Sequence, residues 1–549
     1  MQNWIGCSAK AAREMAEQEP NSQLRVNLLE IAEINARLVT APPRTMREAC
    51  QWILWYQSAA RMFNGSGSLG RLDVLLLPYY ERDMAAGILE DEEAIFHIAC
   101  QLIRDTAYIQ LGGLDAAGND TTNPVSYLVL EAAHRLRVPA NVAVSVGESI
   151  DPDLLQRGVE VLLVDKTGIP KFLGMDQTIT GFTRNGYPVE LARQRTYAGC
   201  HWSALPGREY TLNDCVKINF AAVFEVAWQE MVVDSSSAGS VEPSVAWLWD
   251  GFTNHLRKAV DVLAQGLDFQ VEHQHEVCPE LLLDLLCYGP IEHGVDASHG
   301  GVEYVNLCVD GAALATVADS FAALEQRVEK EQRITWDEIV EFIETDWAGP
   351  DGERARLLMH TNDRYGSGGS RADAYAVQIV RAFTRIVKER PTPAGHNMIP
   401  GLFSWANTIP MGKDIGATPN GRHAGAPISH GANPDPGFRK DGAPSALAVA
   451  IASVQPGYGN TAPMQIELDP MISRDDEGVD NIVSLIRSHF KLGGTQINMN
   501  IMDAEQVLEA NEDPGKYPDL VVRVTGFSAY FASLSPEFRQ LVVDRIIAN

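Results

Sequence analysis

Short apolar runs rich in β-branched residues alternate with long stretches of helical periodicity, and this alternation constrains the fold more than any other feature of the chain. The runs at residues 142–146 and 159–164 are typical of buried strands. Residues 91–109 show helical periodicity, with Ile95, Ile98 and Leu102 on the inward face. Further helices are predicted over residues 22–38, 211–231, 245–266 and 312–331. The pattern predicts an α/β architecture with a largely buried sheet or barrel.

The charge balance and the apolar patterning exclude several classes of protein. The 549 residues include 44 basic and 72 acidic side chains, and the net charge of -28 would repel nucleic acid. The chain has no apolar run of about 18 residues, so a membrane span is not expected. Its first residues lack the basic and apolar regions of a signal peptide. A cytoplasmic protein that binds neither nucleic acid nor membrane is therefore predicted.

Cysteine usage and the common catalytic motifs give mainly negative information. The eight cysteines are spread over more than half of the chain without a CxxC pair, which indicates free thiols in a reducing compartment. The signatures GxSxG, HExxH and GxxxxGKS/T are absent. His273, His275 and Cys278 come nearest to a metal motif, but no second pair completes four ligands. We expect a solvated turn or helix start there, and no metal.

Two short segments contain residues with special chemistry or conformation. Cys200 follows a glycine in YAGCHW, residues 197–202, and that glycine lets the backbone approach a substrate closely. Gly526 interrupts a strand-like run, RVTGFSAYF, residues 523–531, at a cost in stability. Taken alone, each has an ordinary explanation. The first would be a small buried thiol, and the second a tight turn before the last helix.

Five longer segments occur in an informative order. They are GSLGRLDVLLLPYYERD (67–83), GPIEHGVDASHGG (289–301), IGATPNGRHAGAPISHGANPDPG (415–437), LGGTQINMNIMDAEQVLEA (492–510) and YPDLVVRVTGFSAYFASLSPEFRQLVVDRI (517–546). Each resembles the corresponding block of the pyruvate formate-lyase family of glycyl radical enzymes. The resemblance extends from near residue 20 to the end of the chain.

The resemblance implies a fold and a division of the chain. The family fold is a ten-stranded β/α barrel of two five-stranded halves surrounded by helices, so an α/β protein of this type is expected. Residues 1–425 would form the barrel domain that carries the cysteine loop, and residues 426–549 the C-terminal glycine radical domain. Family members usually have a helical and barrel segment ahead of the part that matches residues 1–40, so the N-terminal part is expected to be shortened.

The resemblance also implies roles for Gly526 and Cys200. In the family, a radical SAM activating enzyme removes one hydrogen atom from the glycine that matches Gly526. The amide nitrogen on one side and the carbonyl on the other stabilise a radical on that α-carbon. The radical then passes to the cysteine that matches Cys200, whose weak S–H bond lets it exchange hydrogen with a substrate C–H. No bound cofactor is implied beyond the radical itself.

The cysteine loop departs from the patterns of the family. Many members have Gly-Cys-x-Glu, in which the glutamate acts as an acid or base. Trp202 stands at that position here and would instead widen an apolar wall. Pyruvate formate-lyase has two adjacent cysteines, whereas the neighbour of Cys200 is His201. Because histidine suits acid/base work near neutral pH, His201 either replaces the missing group or packs away from the site.

Three further positions are candidates for the site. Asp214 follows Cys200 at the spacing of an aspartate in the family's diol dehydratases, where it would bind a hydroxyl or act as a base. Alternatively, Asp214 caps the next helix. Ser66 and Ser68 lie in a polar loop that would contact substrate. This loop lacks the histidine with which diol dehydratases hold hydroxyl groups, which disfavours glycerol or propanediol as substrate.

The sequence therefore predicts a glycyl radical lyase that cleaves or rearranges a C–C or C–X bond of a small organic molecule. Dehydratase, decarboxylase and acyltransferase remain open as subtypes. The expected partners are the activating enzyme, the small-molecule substrate and a second copy of the chain in a homodimer. Two alternatives are a C-terminal component of a two-chain enzyme and a catalytically dead scaffold homologue. The intact motif at residues 523–531 disfavours the scaffold.

Overall fold

The computed structural model describes residues 1–62, 67–104, 106–212, 216–236, 242–360, 363–435, 444–524 and 526–546. Within these residues the protein is rich in helices and contains two larger β-sheets and two short hairpins. No described helix is both long and apolar enough to cross a membrane. The predicted α/β architecture is confirmed.

The strands are β1 (Ser68–Gly70), β2 (Tyr108–Leu111), β3 (Asn141–Val146), β4 (Lys171–Gly174), β5 (Thr196–Tyr197), β6 (Ser203–Ala204), β7 (Glu209–Leu212), β8 (Lys217–Asn219), β9 (Tyr304–Ala312), β10 (Asn397–Gly401), β11 (Met464–Leu468), β12 (Gln496–Ile501), β13 (Val521–Arg523) and β14 (Ser528–Tyr530).

The helices are α1 (Gln2–Gln18), α2 (Ser22–Leu38), α3 (Met46–Ala60), α4 (Leu72–Ala85), α5 (Asp91–Arg104), α6 (Pro124–Leu136), α7 (Pro152–Asp165), α8 (Met175–Arg184), α9 (Val189–Gln194), α10 (Phe220–Ser236), α11 (Val245–Val277), α12 (Leu281–Asp284), α13 (Pro290–His293), α14 (Leu314–Ala323), α15 (Trp336–Glu344), α16 (Gly349–Met359), α17 (Arg371–Glu389), α18 (Thr408–Lys413), α19 (Pro444–Ser453), α20 (Asp476–Lys491), α21 (Ala504–Glu512) and α22 (Pro536–Ile546). A π-helical segment, Leu324–Lys330, continues α14.

The larger sheet has the strand order β1-β2-β3-β4-β12-β11. Its first four strands are parallel neighbours, β12 runs antiparallel to β4, and β11 runs parallel to β12. Strands β2, β3, β4 and β12 are buried along their whole length, as expected for a sheet covered by helices on its outer face. The second sheet has the order β10-β9-β7, with β8 also paired to β9, and all its pairs are parallel.

The ten-stranded barrel of two five-stranded halves stays a prediction. Among the described residues, hydrogen bonds join the strands into separate sheets of six and four, rather than into one closed ring. The division at residues 425 and 426 likewise stays a prediction.

The strand predicted at residues 159–164 is wrong, because this apolar run belongs to helix α7. Asp151 accepts a hydrogen bond from the Asp153 amide and Pro152 stands at the first helical position, so the helix begins well before the run. Val159, Leu162 and Leu163 are buried. A helix segment packed on most of its faces shows the same unbroken apolar run as a buried strand.

Three helix predictions place a boundary wrongly, and one of these helices, predicted over residues 245–266, continues to Val277. The helix predicted over residues 91–109 ends at Arg104, and Ile109 belongs to β2. Its predicted inward residues, Ile95, Ile98 and Leu102, are buried. The helix predicted over residues 211–231 begins only at Phe220, after the short strand β8. In the last two cases a strand adjoins a helix, so apolar periodicity continues across the boundary.

Two hairpins bring distant parts of the chain together. Strands β5 and β6 pair antiparallel, and the loop between them contains Cys200. Strands β13 and β14 pair antiparallel with Arg523 opposite Ser528, and the loop between them contains Gly526. The tips of the two hairpins meet beside the larger sheet.

Candidate active site at the junction of two hairpin loops

Gly526 lies in contact with Cys200. Its φ angle is +90°, a conformation that disfavours any side chain. A Cβ added there would collide with the Cys200 Cβ and would lie 2.9 Å from both the Cys200 Sγ and the Phe403 Cζ. Both the backbone angle and the available space therefore require glycine. The two residues singled out by the sequence are brought together by the fold.

The loop that carries Cys200 is anchored from the larger sheet. The Lys171 ammonium on β4 donates to the carbonyl oxygens of Gly199 and Cys200, at 3.0 Å each. The Gln496 amide on β12, the neighbouring strand, donates to the Cys200 carbonyl at 2.8 Å. These hydrogen bonds hold the backbone of Cys200 in place, so that the thiol is the part of the residue that can move or react.

The thiol of Cys200 is buried, with 4% of the residue exposed, and contacts a tyrosine. The Tyr108 hydroxyl lies 2.9 Å from the Cys200 Sγ. Tyr108 projects from β2, whereas the sequence pattern places it near the end of a predicted helix, residues 91–109, and does not mark it as a site residue. A buried thiol, a tyrosine hydroxyl and a glycine α-carbon thus share one water-poor space.

His201 contacts strand β9 and Phe403. Its Nε2 lies 2.9 Å from the Asp310 Oδ2, and its ring stacks on Phe403 with centroids 4.1 Å apart. Asp310 is fully buried and also accepts a bond from the Asn460 amide at 3.1 Å. Phe403 therefore connects the histidine ring to the glycine loop.

Cys308 joins this group, since it lies two residues before Asp310 on the same face of β9. Ligand atoms of His201, Cys308 and Asp310 all lie within 4.8 Å of one another, which is close enough to hold a metal ion. Hydrogen bonds also explain why these three side chains lie together. The Cys308 thiol lies 3.5 Å from the Asp310 Oδ1 and accepts a hydrogen bond from the Asn460 amide. We describe the group as a hydrogen-bonded cluster.

A second histidine beside the site is held neutral. The His430 ring packs edge-on against Phe403, with centroids 5.3 Å apart. Burial and the nearby Arg545 guanidinium lower the pKa of His430 to about 3. It therefore adds no positive charge beside the glycine and cysteine at physiological pH.

Trp202 is fully buried and packs into an aromatic cluster. Its ring meets Phe182 edge-on at 5.9 Å, and the Arg195 guanidinium lies 5.5 Å from the ring. The same cluster includes Cys308. His201 and Trp202 are therefore adjacent in one loop but lie in different surroundings, the first among polar groups and the second among aromatic rings.

Of the remaining predicted site residues, Ser68 forms hydrogen bonds to the backbone, and the other two lie outside the described residues. The Ser68 hydroxyl lies 3.2 Å from the carbonyl oxygens of Tyr108 and Tyr197 and accepts from the Gly70 amide at 3.0 Å. It thus bonds to the main chain of β1 and its neighbours. Ser66 and Asp214 lie outside the described residues.

A surface cavity of about 850 Å³ opens beside β14 and is lined by residues that include Lys166, Arg474 and Tyr530. Neither Cys200 nor Gly526 lines it. Cys200 and Gly526 lie at the buried junction of the two hairpins instead.

Comparison with known proteins identifies two family matches along the chain. A family described as Pyruvate formate lyase-like matches residues 1–412, and one described as Glycine radical matches residues 428–532. The second match includes Gly526.

Individual relatives match nearly the whole chain. The chain is 25% identical to the trans-4-hydroxy-L-proline dehydratase of Clostridioides difficile, over 98% of this chain and 72% of that protein. It is 25% identical to the isethionate sulfite-lyase of Oleidesulfovibrio alaskensis, over 99% of this chain and 70% of that protein. Its fold superposes on a glycyl radical enzyme from Archaeoglobus fulgidus with a TM-score of 0.90 and 27% identity, covering 100% of this chain and 74% of that one.

Proposed function

The chain belongs to the pyruvate formate lyase-like family of glycyl radical enzymes, and from that premise we propose that it is a lyase in which Gly526 stores the radical and Cys200 transfers it to substrate. The observation that carries this proposal is the contact between Gly526 and Cys200. No side chain fits between the glycine α-carbon and the thiol. Hydrogen transfer between two heavy atoms needs such an approach.

The proposed cycle conserves one unpaired electron. An activating enzyme, which we propose to be of the radical SAM type, removes a hydrogen atom from the Gly526 α-carbon. The glycyl radical then takes a hydrogen atom from Cys200, so that a C–H bond forms and the S–H bond breaks. The resulting thiyl radical takes hydrogen from a substrate C–H, and the product radical takes it back at the end. Burial of Cys200 keeps water and oxygen from these species.

We propose that His201 handles the proton that leaves or enters the substrate. Trp202 occupies the position of the acid/base glutamate of many family members and cannot move a proton in that role. His201 adjoins Cys200 in the chain, and its Nε2 is hydrogen-bonded to the buried Asp310 carboxylate. A carboxylate on one ring nitrogen fixes the tautomer and the orientation of the ring, and this supports an acid/base role over simple packing. Asp214 remains a second candidate for binding a substrate hydroxyl.

The reaction class follows from the groups that surround Cys200. The relatives include a dehydratase and a sulfite-lyase that act on small molecules. An acyl-transfer route of the pyruvate formate-lyase type uses a second cysteine next to the first, and His201 stands there instead. We therefore propose cleavage of a C–X bond of a small organic molecule in the cytoplasm, by an enzyme that works as a homodimer.

The experiment that tests this function is electron paramagnetic resonance after anaerobic co-expression with an activating enzyme and S-adenosylmethionine. A glycyl radical gives a doublet, because one α-hydrogen splits the signal. We expect this doublet, followed by turnover of at least one of two probes, trans-4-hydroxy-L-proline and isethionate, or of a related small molecule. Folded protein that stays silent with a competent activating enzyme would favour the scaffold alternative.

Replacing Tyr108 by phenylalanine is expected to slow hydrogen exchange between Gly526 and Cys200. In D₂O the thiol becomes S–D, so the glycyl radical takes deuterium from it and the Gly526 α-carbon then carries one hydrogen and one deuterium. When the thiyl radical removes the hydrogen instead of the deuterium, the glycyl radical re-forms with deuterium on its α-carbon and the doublet collapses to a singlet. Loss of one hydrogen bond to sulfur, worth about 1 kcal/mol, should slow this collapse about fivefold. The matched control is Tyr197→Phe, since the Tyr197 hydroxyl bonds to Thr178 rather than to Cys200. Equal collapse rates in the two variants would show that Tyr108 takes no part.

Replacing His201 by glutamine is expected to separate radical transfer from proton transfer. The doublet and its collapse in D₂O should persist, because neither involves the imidazole. Turnover of a substrate found in the probe assay should fall by roughly 10² to 10⁴, the usual contribution of a general acid or base. The comparison variant is His430→Gln, which removes a buried neutral histidine on the other side of Phe403. Unchanged turnover in His201→Gln would assign the proton step to another group.

A further inference from the structure

Arg523 is a fully buried arginine whose guanidinium bonds directly to the carbonyl oxygen of the radical glycine. Its Nη2 donates to the Gly526 oxygen at 2.8 Å. Its Nε donates to the Asn498 side-chain oxygen at 3.1 Å. Its Nη1 donates to the Asn141 side-chain oxygen at 3.2 Å and to the Ser528 hydroxyl at 3.3 Å. Every one of these acceptors is electrically neutral.

Of the other arginines in the described residues, the two with the lowest exposure are Arg195 and Arg364, and both have carboxylate partners. Arg195 forms a two-pronged pair with Glu209, with one contact at 2.9 Å. Arg364 pairs with Asp435 at 2.8 Å, and with a second aspartate. A buried cation without an anion costs several kcal/mol in real proteins. Arg523 differs from these arginines because its acceptors are neutral, and its surroundings must explain why a charged side chain is buried there.

The groups that attract the Arg523 charge lie beside Gly526 and Cys200. Burial lowers the pKa of Arg523, and attraction toward Tyr108 and Cys200 opposes this shift. The backbone of Arg523 is held in place by Asn500, whose side chain both accepts from the Arg523 amide and donates to the Arg523 carbonyl, at 2.8 Å each. The charge is thus fixed beside the carbonyl of Gly526 and within the field of the thiol.

We propose that the charged hydrogen bond from Arg523 stabilises the radical stored on Gly526 and so sets the balance between the glycyl and thiyl radicals. A glycyl radical is stabilised when the amide nitrogen donates electron density and the carbonyl withdraws it. A cation on the carbonyl oxygen strengthens the withdrawing side. A carboxylate partner would neutralise that charge, which explains why the other acceptors of Arg523 are amide and hydroxyl oxygens. This inference rests on the proposed function of Gly526 and Cys200.

The equilibrium in question exchanges one hydrogen atom. When the glycyl radical becomes a thiyl radical, a C–H bond forms at Gly526 and the S–H bond of Cys200 breaks, and no electron or proton leaves the pair. The hydrogen bond from Arg523 stabilises the glycyl radical in this equilibrium. Removing the bond should therefore lower the fraction of the radical that resides on Gly526 and raise the rate at which it passes to sulfur.

The test compares Arg523→Lys and Arg523→Gln with wild-type enzyme after identical anaerobic activation. Loss of a charge-assisted bond is expected to shift the equilibrium between the glycyl and thiyl radicals toward sulfur by about tenfold or more in the glutamine variant, and by less in the lysine variant, which keeps the charge. The stored glycyl radical should then exchange its α-hydrogen with D₂O about tenfold faster than wild type does. Arg364→Lys is the matched control for altering a buried arginine, and circular dichroism and thermal melting verify that each variant is folded.

A measurement on the wild-type protein makes the test independent of how the variants fold. Protein labelled with ¹⁵N in the arginine guanidinium groups should show a weak ¹⁵N coupling to the glycyl radical by electron–nuclear double resonance. The coupling should be missing from the labelled Arg523→Lys protein.

Two results would overturn the proposal while leaving the proposed function intact. One is a full wild-type doublet without any ¹⁵N coupling. The other is a folded Arg523→Gln protein with the wild-type exchange rate. A wild-type protein that never forms the doublet would instead count against the proposed function itself.

Discussion

Gly526→Ala protein is expected to give no glycyl doublet under activation conditions that yield it in wild type. An added methyl group would collide with the Cys200 Cβ and lie within 2.9 Å of both its sulfur and the Phe403 ring. The φ angle of +90° adds backbone strain of the order of 1–3 kcal/mol. The loop must therefore move. The doublet itself is lost because alanine has only one α-hydrogen, so a radical formed by its removal would keep no α-hydrogen to split the signal. The measurement is the spin per chain by electron paramagnetic resonance.

The control for this substitution is Gly186→Ala. Gly186 has a φ angle of +89°, but a Cβ added there meets no atom within 4 Å. It therefore introduces the same kind of backbone strain without a collision, and it lies away from the two hairpin loops. We expect Gly186→Ala to lower the melting temperature modestly and to keep the doublet. A doublet of wild-type intensity in Gly526→Ala would mean that the radical resides elsewhere.

The structure brings together two residues that the sequence marks in separate short motifs. Gly526 and Cys200 each stand in a short loop between residues of strand character, and the structure places both at the tips of hairpins. Helix positions were also predictable where one face is apolar, as in α5, whose inward residues are buried. The run at residues 159–164 was not, because burial on several sides removes the periodicity that distinguishes a helix from a strand.

The neighbours of the reactive pair could not be predicted in the same way. Tyr108, Lys171 and Asp310 lie in buried strands, where alternation shows only that a side chain is covered and not what it covers. They reach the cysteine loop because strands that are far apart in the chain become adjacent. The different neighbours of His201 and Trp202 are a further example, since adjacent loop residues carry no period from which orientation can be predicted.

Under the proposed function, His201 takes the role that a glutamate at the position of Trp202 has in many family members. Trp202 packs in an aromatic cluster together with Phe182, beside the Arg195 guanidinium. The polar function next to Cys200 is instead available from His201, which is supported from β9 by Asp310. The tryptophan at residue 202 is thus accompanied by a polar residue on β9, Asp310, more than a hundred residues away in the chain.

Cys200→Ser protein is expected to store the glycyl radical but neither to exchange its α-hydrogen nor to turn over substrate. The hydroxyl is nearly the same size as the thiol, so the contact with Gly526 and the backbone bonds from Lys171 and Gln496 should persist. An O–H bond is much stronger than an S–H bond, so the glycyl radical cannot take its hydrogen. The expected result is a wild-type doublet that does not collapse in D₂O, with turnover below detection.

Cys308→Ala provides the matched comparison, because it removes a second buried thiol close to the same loop. Cys308 contacts the group around His201 rather than Gly526. Its substitution should therefore leave the collapse in D₂O at the wild-type rate, whatever it does to turnover. Collapse that continues at the wild-type rate in Cys200→Ser would require another hydrogen donor at the radical. Tyr108, whose hydroxyl lies beside the Cys200 sulfur, would be the first to test, in the double variant with Tyr108→Phe.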